Sequence, residues 1–186
     1  MGEEKENKNF IDGLVKDQHT VRAIQKLGRG PLEVSICRHT STIEALAGEA
    51  ALIDSALAEV RNESDKVKIE ARKKQVESEM AELSKDSIDG VLTHLTYRDV
   101  NDIKAAVTEA VIHFQQYNFD NEVIMSRVIA EERFMTIFCA LKRKDDITKR
   151  YFKTLDEIAI VDEMAILDMY SKWEQHFVLS DDELKN

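Results

Sequence analysis

Residues that break regular structure are scarce in this sequence. Its 186 residues include only six glycines and one proline. Sandwiches and barrels need many tight turns, which depend heavily on these two residue types, so the sequence argues against such folds. A hydrophobic fraction of 43% with 33% charged residues is ordinary for a helical protein with a real core. We therefore expect a mainly α-helical chain.

Cysteine and long apolar runs are also scarce. The two cysteines, Cys37 and Cys139, are far apart and match no metal or redox spacing. We expect both to be reduced thiols in a cytoplasmic protein. The first residues lack the hydrophobic core of a signal peptide, and the longest apolar stretch, residues 134–141, is too short to cross a bilayer. We therefore predict no membrane partner.

Basic residues are fewer than acidic residues in this sequence. The formal net charge is −10 and the sequence pI is near 5.0, which disfavours binding to the phosphate backbone of nucleic acids. The basic cluster in residues 66–74 has no interleaved aromatic residues for base stacking, and acidic residues follow it at once. We interpret it as a solvated helix face and predict no nucleic-acid partner.

The first structured part of the chain is predicted to be a β-hairpin over residues 19–38. Gly28-Arg29-Gly30-Pro31 indicates a turn, and the alternation of Leu32, Val34 and Ile36 with polar residues indicates the second strand. The turn lacks the Lys-Ser/Thr pair of a phosphate-binding loop. A lone hairpin is only marginally stable, so it must lie against the helices or pair with another chain.

A helical hairpin is predicted over residues 41–87. Ser41 and Glu44 have the spacing of a capping box. Behind them, apolar residues recur at steps of three and four, as in a coiled-coil seam: Ile43, Leu46, Ala50, Ile53, Leu57 and Val60. The seam packs either internally or against another copy. The second helix, after a turn near Asn62, is highly charged, so we expect the pair to project from the domain.

A C-terminal helical module is predicted over residues 99–178. We interpret Asp89-Gly90 as a break before this module. Asp99 is predicted to cap its first helix and Asp120 its second. The second helix is broadly apolar and is expected to continue to the basic residues 142–144. Thr154 and Glu157 form a capping box for the closing helices.

These elements form one predicted domain over residues 19–178. We expect a bundle of four to six helices with a short N-terminal β-hairpin, preceded by a flexible segment 1–18 and followed by an acidic tail 179–186. No composition shift or proline-rich linker divides the domain.

No active-site signature is visible. A di-metal helical bundle needs two Glu-x-x-His pairs, and the sequence has none. Glu109 and His113 lie one helical turn apart, but a single pair without a companion is a poor metal site. Nucleophile-elbow, zinc-protease, dinucleotide and phosphate-loop motifs are absent too. We therefore expect no catalytic residue, no metal site, no cofactor and no enzymatic activity.

Aromatic residues cluster near the C-terminus and allow two interpretations. They are Tyr151, Phe152, Tyr170, Trp173 and Phe177. Buried in a small bundle they need no further explanation. Exposed on a charge-rimmed surface, they would bind an apolar helix of a partner.

The C-terminal region, residues 131–177, resembles tail assembly chaperones of tailed bacteriophages. The resemblance lies in the run ALKRKDDITKRYFKTLDEI followed by ILDMY. The matching residues are Glu132, Arg133, Ala140, Leu141, Asp146, Arg150, Phe152, Thr154, Glu157 and Tyr170. Residues 28–46, with LEVSICRHTSTIEAL, resemble the hairpin and Thr-rich helix start of the same family. The loop departs from the family pattern because it has no proline.

The resemblance implies a non-enzymatic role in tail morphogenesis. Such a protein binds the tape measure protein, the tail tube protein or both before polymerisation, as a homo-oligomer and without nucleotide, in the host cytoplasm. The alternative is a structural virion or head–tail connector subunit whose hairpin pairs with neighbouring copies.

Overall fold

A computed structural model describes residues 28–117 and 119–178. In these residues the chain is mainly helical, as predicted, with a small antiparallel sheet. The elements in chain order are β1 (Leu32–Cys37), α1 (Thr40–Glu59), α2 (Glu63–Leu83), β2 (Ser87–Leu92), α3 (Tyr97–Gln116), α4 (Asn121–Ala140), β3 (Leu141–Arg143), α5 (Leu155–Ala159) and α6 (Glu163–Phe177). The predicted flexible segment 1–18 and acidic tail 179–186 lie outside the described residues.

The sheet has the strand order β1-β2-β3. The predicted second hairpin strand is present as β1, but its partner in the described chain is β2, with Val34 opposite Gly90. The first strand predicted within residues 19–27 lies outside the described residues. Gly28, at the predicted turn, has a positive φ of 98°, which favours glycine.

Two local predictions around the sheet are wrong. Asp89-Gly90 is not a break but the middle of β2. A side chain at position 90 would meet Leu141 and the Lys142 carbonyl, so glycine allows β3 to approach. The second helix of the C-terminal module does not continue to residues 142–144. It ends at Ala140, and Leu141–Arg143 forms β3 beside β2.

The predicted helical pair is present as α1 and α2. It turns at residues 60–62, where the Asn62 side chain accepts a hydrogen bond from the Ser64 amide at 3.0 Å. The predicted end at residue 87 is wrong, because Ser87 already belongs to β2. The predicted Ser41–Glu44 capping box does not form. Ser41 instead donates its amide, at 3.0 Å, and its hydroxyl to the Asp162 carboxylate before α6.

The core lies where α4 meets α3, α6 and the sheet. Every residue from Met135 to Ala140 is buried, so the end of α4 is surrounded on all sides. α3 begins at Tyr97 with Thr96 as its cap. Asp99 is therefore not the cap but the third helical residue, whose carboxylate accepts from the Thr96 amide in a capping box.

Candidate partner-binding surface

The C-terminal aromatic residues lie mostly in the core. Four of the five are at most 7% exposed: Phe152, Tyr170, Trp173 and Phe177. Trp173 has no exposed surface, and its Nε1 donates a hydrogen bond to the Thr93 carbonyl oxygen at 3.0 Å. Because the polar edge of this ring is satisfied inside the protein, it does not need solvent. Binding of a partner by these rings would require the core to open.

Tyr151 is the half-buried member of the five. Its ring lies edge-on against Phe152 with centroids 5.0 Å apart. Its amide donates to the Leu141 carbonyl oxygen at 2.9 Å, which holds the loop after β3 against the sheet. Tyr151 therefore closes the core at this loop, and the exposed aromatic surface, which was one of the two interpretations of the sequence, is not present in this conformation.

An apolar groove runs along the exposed side of α4, and we call it the α4 groove. Its two parts, of about 630 and 440 Å³, share Ala130, Arg133 and Glu163. Several helices contribute its apolar lining: Phe114, Met125, Ile129, Phe134, Ala159, Val161, Ile166 and Leu167. The groove exists because α4 is apolar on more sides than α3 and α6 can cover.

Exposed apolar side chains adjoin the α4 groove. Phe119, in the turn between α3 and α4, is 47% exposed, and its ring centroid lies 6.1 Å from that of Phe114. Tyr117, on the same turn, is 63% exposed. Ile160 follows α5 and is 82% exposed. Its neighbours in the sequence, Ala159 and Val161, both line the groove. Exposed apolar side chains beside an apolar groove are typical of interaction sites.

Charged side chains of both signs line the α4 groove. Arg127 and Arg133 bring positive charge to a chain that is strongly acidic overall. Glu131 lies between these two arginines in the sequence and also lines the groove. Burial, together with the nearby charge of Glu109, raises the pKa of the Glu131 carboxyl. The Arg133 guanidinium lies 5.6 Å from the centroid of the Tyr170 ring, which fixes its position over the core.

A partly buried ionic cluster joins the start of α3 to the loop after β3. Arg150 Nη2 lies 3.1 Å from Asp99 Oδ1 and 3.2 Å from Asp102 Oδ2. Burial opposes the charge of Asp99, but hydrogen bonds from Thr96 and the positive charges of Lys142 and Arg150 leave its pKa below the ordinary value. A carboxylate held ionised in this way anchors structure and is unsuited to proton transfer near neutral pH.

Residues with potential for metal or thiol chemistry are not assembled into a site in the described residues. Burial raises the pKa of Cys139 to about 12, so its thiol stays protonated. The His113 ring lies against Tyr117, with centroids 5.0 Å apart. Within residues 28–117 and 119–178, no three His, Cys, Asp or Glu side chains are placed to hold a metal ion. No helix in these ranges is long and apolar enough to span a membrane.

Several residues that carry the phage-chaperone resemblance stabilise the fold. Ala140 and Leu141 are fully buried, and Arg150 belongs to the ionic cluster. Thr154 accepts a hydrogen bond from the Glu157 amide at 3.4 Å, and the Glu157 carboxylate accepts one from the Lys153 amide at 2.7 Å. The predicted Thr154 cap is therefore confirmed at α5, but the predicted capping box is incomplete, because the Glu157 carboxylate binds the Lys153 amide instead of the Thr154 amide.

Comparisons with protein-family models, curated proteins and solved structures found no match to this chain. The α4 groove was not predicted from the sequence, although the unusually broad apolar face of this helix was its signal. Periodicity indicated a wide apolar face on α4, but not which residues the neighbouring helices leave partly uncovered, such as Met125 and Ile129.

Proposed function

We propose that this protein is a non-enzymatic assembly factor that holds an apolar helical segment of another polypeptide in the α4 groove. The exposed apolar surface along this groove is the observation that carries the proposal. The resemblance of residues 131–177 and 28–46 to phage tail assembly chaperones supplies the class of partner. That partner is the tape measure protein, the tail tube protein or both, bound before polymerisation.

The dimensions of the groove suit a short amphipathic helix. Its lining on α4 extends from Asn121 to Phe134, which corresponds to about 20 Å at the rise of an α-helix. Met125 and Ile129 lie one turn apart on this stretch and suit the spacing of anchors on a docked helix. The flexible thioether of Met125 can adapt to partner side chains of different shape.

The energetics favour a reversible complex. Burial of one large apolar side chain contributes about 1.5–3 kcal/mol, and a micromolar complex corresponds to about 8 kcal/mol. A few anchors therefore support binding in this range once the cost of ordering both partners is subtracted. An assembly factor must release its partner when polymerisation begins, and a moderate affinity allows this.

The test is co-expression with candidate tape measure proteins, which are long and helical. We expect the wild-type protein to keep its partner in the soluble fraction and the Ile129→Glu variant to lose this effect, because a charge in the groove opposes burial of an apolar helix. Ile147→Glu is the matched control, since Ile147 is 50% exposed and does not line the groove. Unchanged partner solubility across several candidates would contradict the proposal. Recovery of the protein in mature particles would favour a structural virion subunit instead.

A further inference from the structure

Acidic and aromatic side chains lie together along one side of the α4 groove. Glu109, His113 and Tyr117 recur every four residues at the end of α3, so they share one side of it, and all three are exposed. Phe119 continues this stripe in the turn to α4, where its ring centroid lies 6.4 Å from that of Tyr117. On α4, Glu131 lies near Glu109. We call these five residues the α3 rim.

The two carboxylates of the α3 rim repel each other. Glu131 is half-buried and lines the α4 groove. Burial and the charge of Glu109 raise the pKa of Glu131, so its ionised form is unfavourable in the free protein. In the part of the chain that the structure describes, neither carboxylate forms a salt bridge, although Arg127 lies one helical turn from Glu131. A cation placed between the two carboxylates would offset their repulsion.

The surroundings of the α3 rim are acidic as well. Residues 105–126, which extend from α3 into α4, contain three acidic residues and no lysine or arginine. The lining of the α4 groove has three carboxylates against the two guanidiniums of Arg127 and Arg133. This surface therefore attracts cations and repels phosphate groups.

The exposed rings of the α3 rim also suit a cation. Tyr117 is 63% exposed and Phe119 is 47% exposed. A lysine or arginine attracts the face of such a ring, and its aliphatic stem adds apolar contact. The α3 rim thus offers carboxylates at one end and aromatic rings at the other to the same kind of side chain.

We infer that the segment held in the α4 groove presents lysine or arginine side chains to the α3 rim. This inference rests on the proposed function, because it names the chemistry of the helix that the groove holds. One cation lies between Glu109 and Glu131, and another lies over Tyr117 or Phe119. Glu109 and Tyr117 are eight residues apart, which is about 12 Å along a helix, so the two cations lie about two turns apart in the partner.

The charge of the α3 rim selects this occupant over others. Nucleic acids and anionic membrane surfaces carry phosphate groups, which the carboxylates repel. A second copy bound through the same surface about a two-fold axis would bring two acidic surfaces together. A basic amphipathic helix of another polypeptide satisfies both the apolar groove and its acidic side.

The test uses two synthetic helical peptides of about 15 residues, a length that spans the groove. Both have the same leucine anchors, and one carries arginine while the other carries glutamate on the flanking positions. We expect calorimetry at low ionic strength to show about tenfold tighter binding of the arginine peptide to the wild-type protein, since several exposed ion pairs together reach this size. The preference should shrink as salt is added.

Variants then locate the preference. Glu109→Gln combined with Glu131→Gln should weaken the arginine peptide several-fold without weakening the glutamate peptide, whereas a damaged fold would weaken both. Glu70→Gln combined with Glu79→Gln removes the same charge from exposed positions on α2 and should leave the preference unchanged.

The outcomes separate the α3 rim from the groove. Equal affinity of the wild type for both peptides, or a preference that the Glu109→Gln and Glu131→Gln variant keeps, would overturn this inference but not the function of the groove. Binding of neither peptide would overturn both. Ile129→Glu should weaken both peptides, and if it weakens neither, they bind elsewhere and the inference fails.

The Glu131 carboxyl gives a second readout by NMR titration of the full chain. A nearby cation favours the ionised form, and both peptides bury the carboxyl alike. The pKa of Glu131 should therefore be lower in the complex with the arginine peptide than in the complex with the glutamate peptide. Equal pKa values would show that no cation reaches the α3 rim and would overturn the inference.

Discussion

Nη2 of Arg150 lies 3.1 Å from Oδ1 of Asp99, and this contact ties the loop after β3 to the first turn of α3. The guanidinium carbon of Arg150 also lies 4.8 Å from the centroid of the Phe138 ring, at the edge of the core. Asp99 is only 4% exposed, so its charge depends on this partner and on Thr96. The Asp99–Arg150 pair therefore holds the loop after β3 in place at the edge of the core.

Replacement of Arg150 by methionine should lower the free energy of unfolding by about 2 kcal/mol, because a hydrogen bond to a charged group contributes about 1.5–3 kcal/mol and Arg150 is partly exposed. Urea unfolding followed by circular dichroism measures this loss. Lys149→Met is the control, since the Lys149 side chain is exposed and pairs only with Asp146 on the surface. We expect this control to change stability by less than about 0.5 kcal/mol. Equal effects of the two substitutions would show that the Arg150 pair is not an anchor.

Hydrogen bonding within the loop should make Asp146 a stronger acid. The Thr148 hydroxyl, Lys149 and the Thr148 amide lower the pKa of Asp146 from 3.8 to about 2. Because the folded-state pKa lies below the unfolded one, the stabilisation is present above pH 3.8 and is lost as the pH falls towards about 2. Thr148→Val should raise the pKa of Asp146 towards 3.8, which titration by NMR measures directly. Asp162 lies outside this loop, and against the opposing effect of burial, hydrogen bonds from Ser41 lower its pKa, so its pKa should be the same in the two proteins.

Gly90 should be intolerant of a side chain. A Cβ at this position would lie 2.8 Å from Leu141 Cδ1 and 3.1 Å from the Lys142 carbonyl oxygen, so Gly90→Ala must displace β3. We expect a loss of about 1–3 kcal/mol in unfolding free energy, as for other overpacked cores. Gly48→Ala is the matched control on exposed α1 and should instead stabilise the protein by about 0.5–1 kcal/mol. A neutral Gly90→Ala variant would contradict the described contact between β2 and β3.

Trp173 is the only tryptophan, so its fluorescence reports on the C-terminal aromatic residues. Because the ring is fully buried, we predict blue-shifted emission and weak quenching by acrylamide in the native protein, with a red shift on unfolding. Trp173→Phe should destabilise the protein by about 1–3 kcal/mol, since the Thr93 carbonyl oxygen loses its donor. Strong quenching in the native state would instead support the aromatic surface that the sequence allowed.

Local sequence signals predicted the helix starts well where the cap and its target are neighbours. The Asp120 carboxylate accepts from the Val123 amide at 2.9 Å, and Thr154 caps α5, both as predicted. Ser41 has the same local signal, but it bonds to Asp162, which is distant in sequence. A cap predicted from neighbours alone fails where a tertiary partner competes for the same side chain.

Long-range pairing explains the missed strands. β2 contains Asp89 and Gly90, which favour turns locally, yet it lies between β1 and β3. β3 follows α4 directly, and its basic residues Lys142 and Arg143 resemble the end of a helix. Neither strand has a local pattern strong enough to identify it without its partners. The α4 groove is a further consequence of long-range packing, because it depends on where α3, α5 and α6 stop covering α4.

Amide hydrogen–deuterium exchange with and without a bound tape measure or tail tube segment tests the α4 groove most directly. We predict slower exchange in residues 121–134 and 159–167, because a docked helix suppresses local opening of both walls of the groove. Residues 87–92 in the central strand should be unaffected. Protection confined to other surfaces, with residues 121–134 exchanging at their free rate, would contradict the proposal that this groove holds the partner.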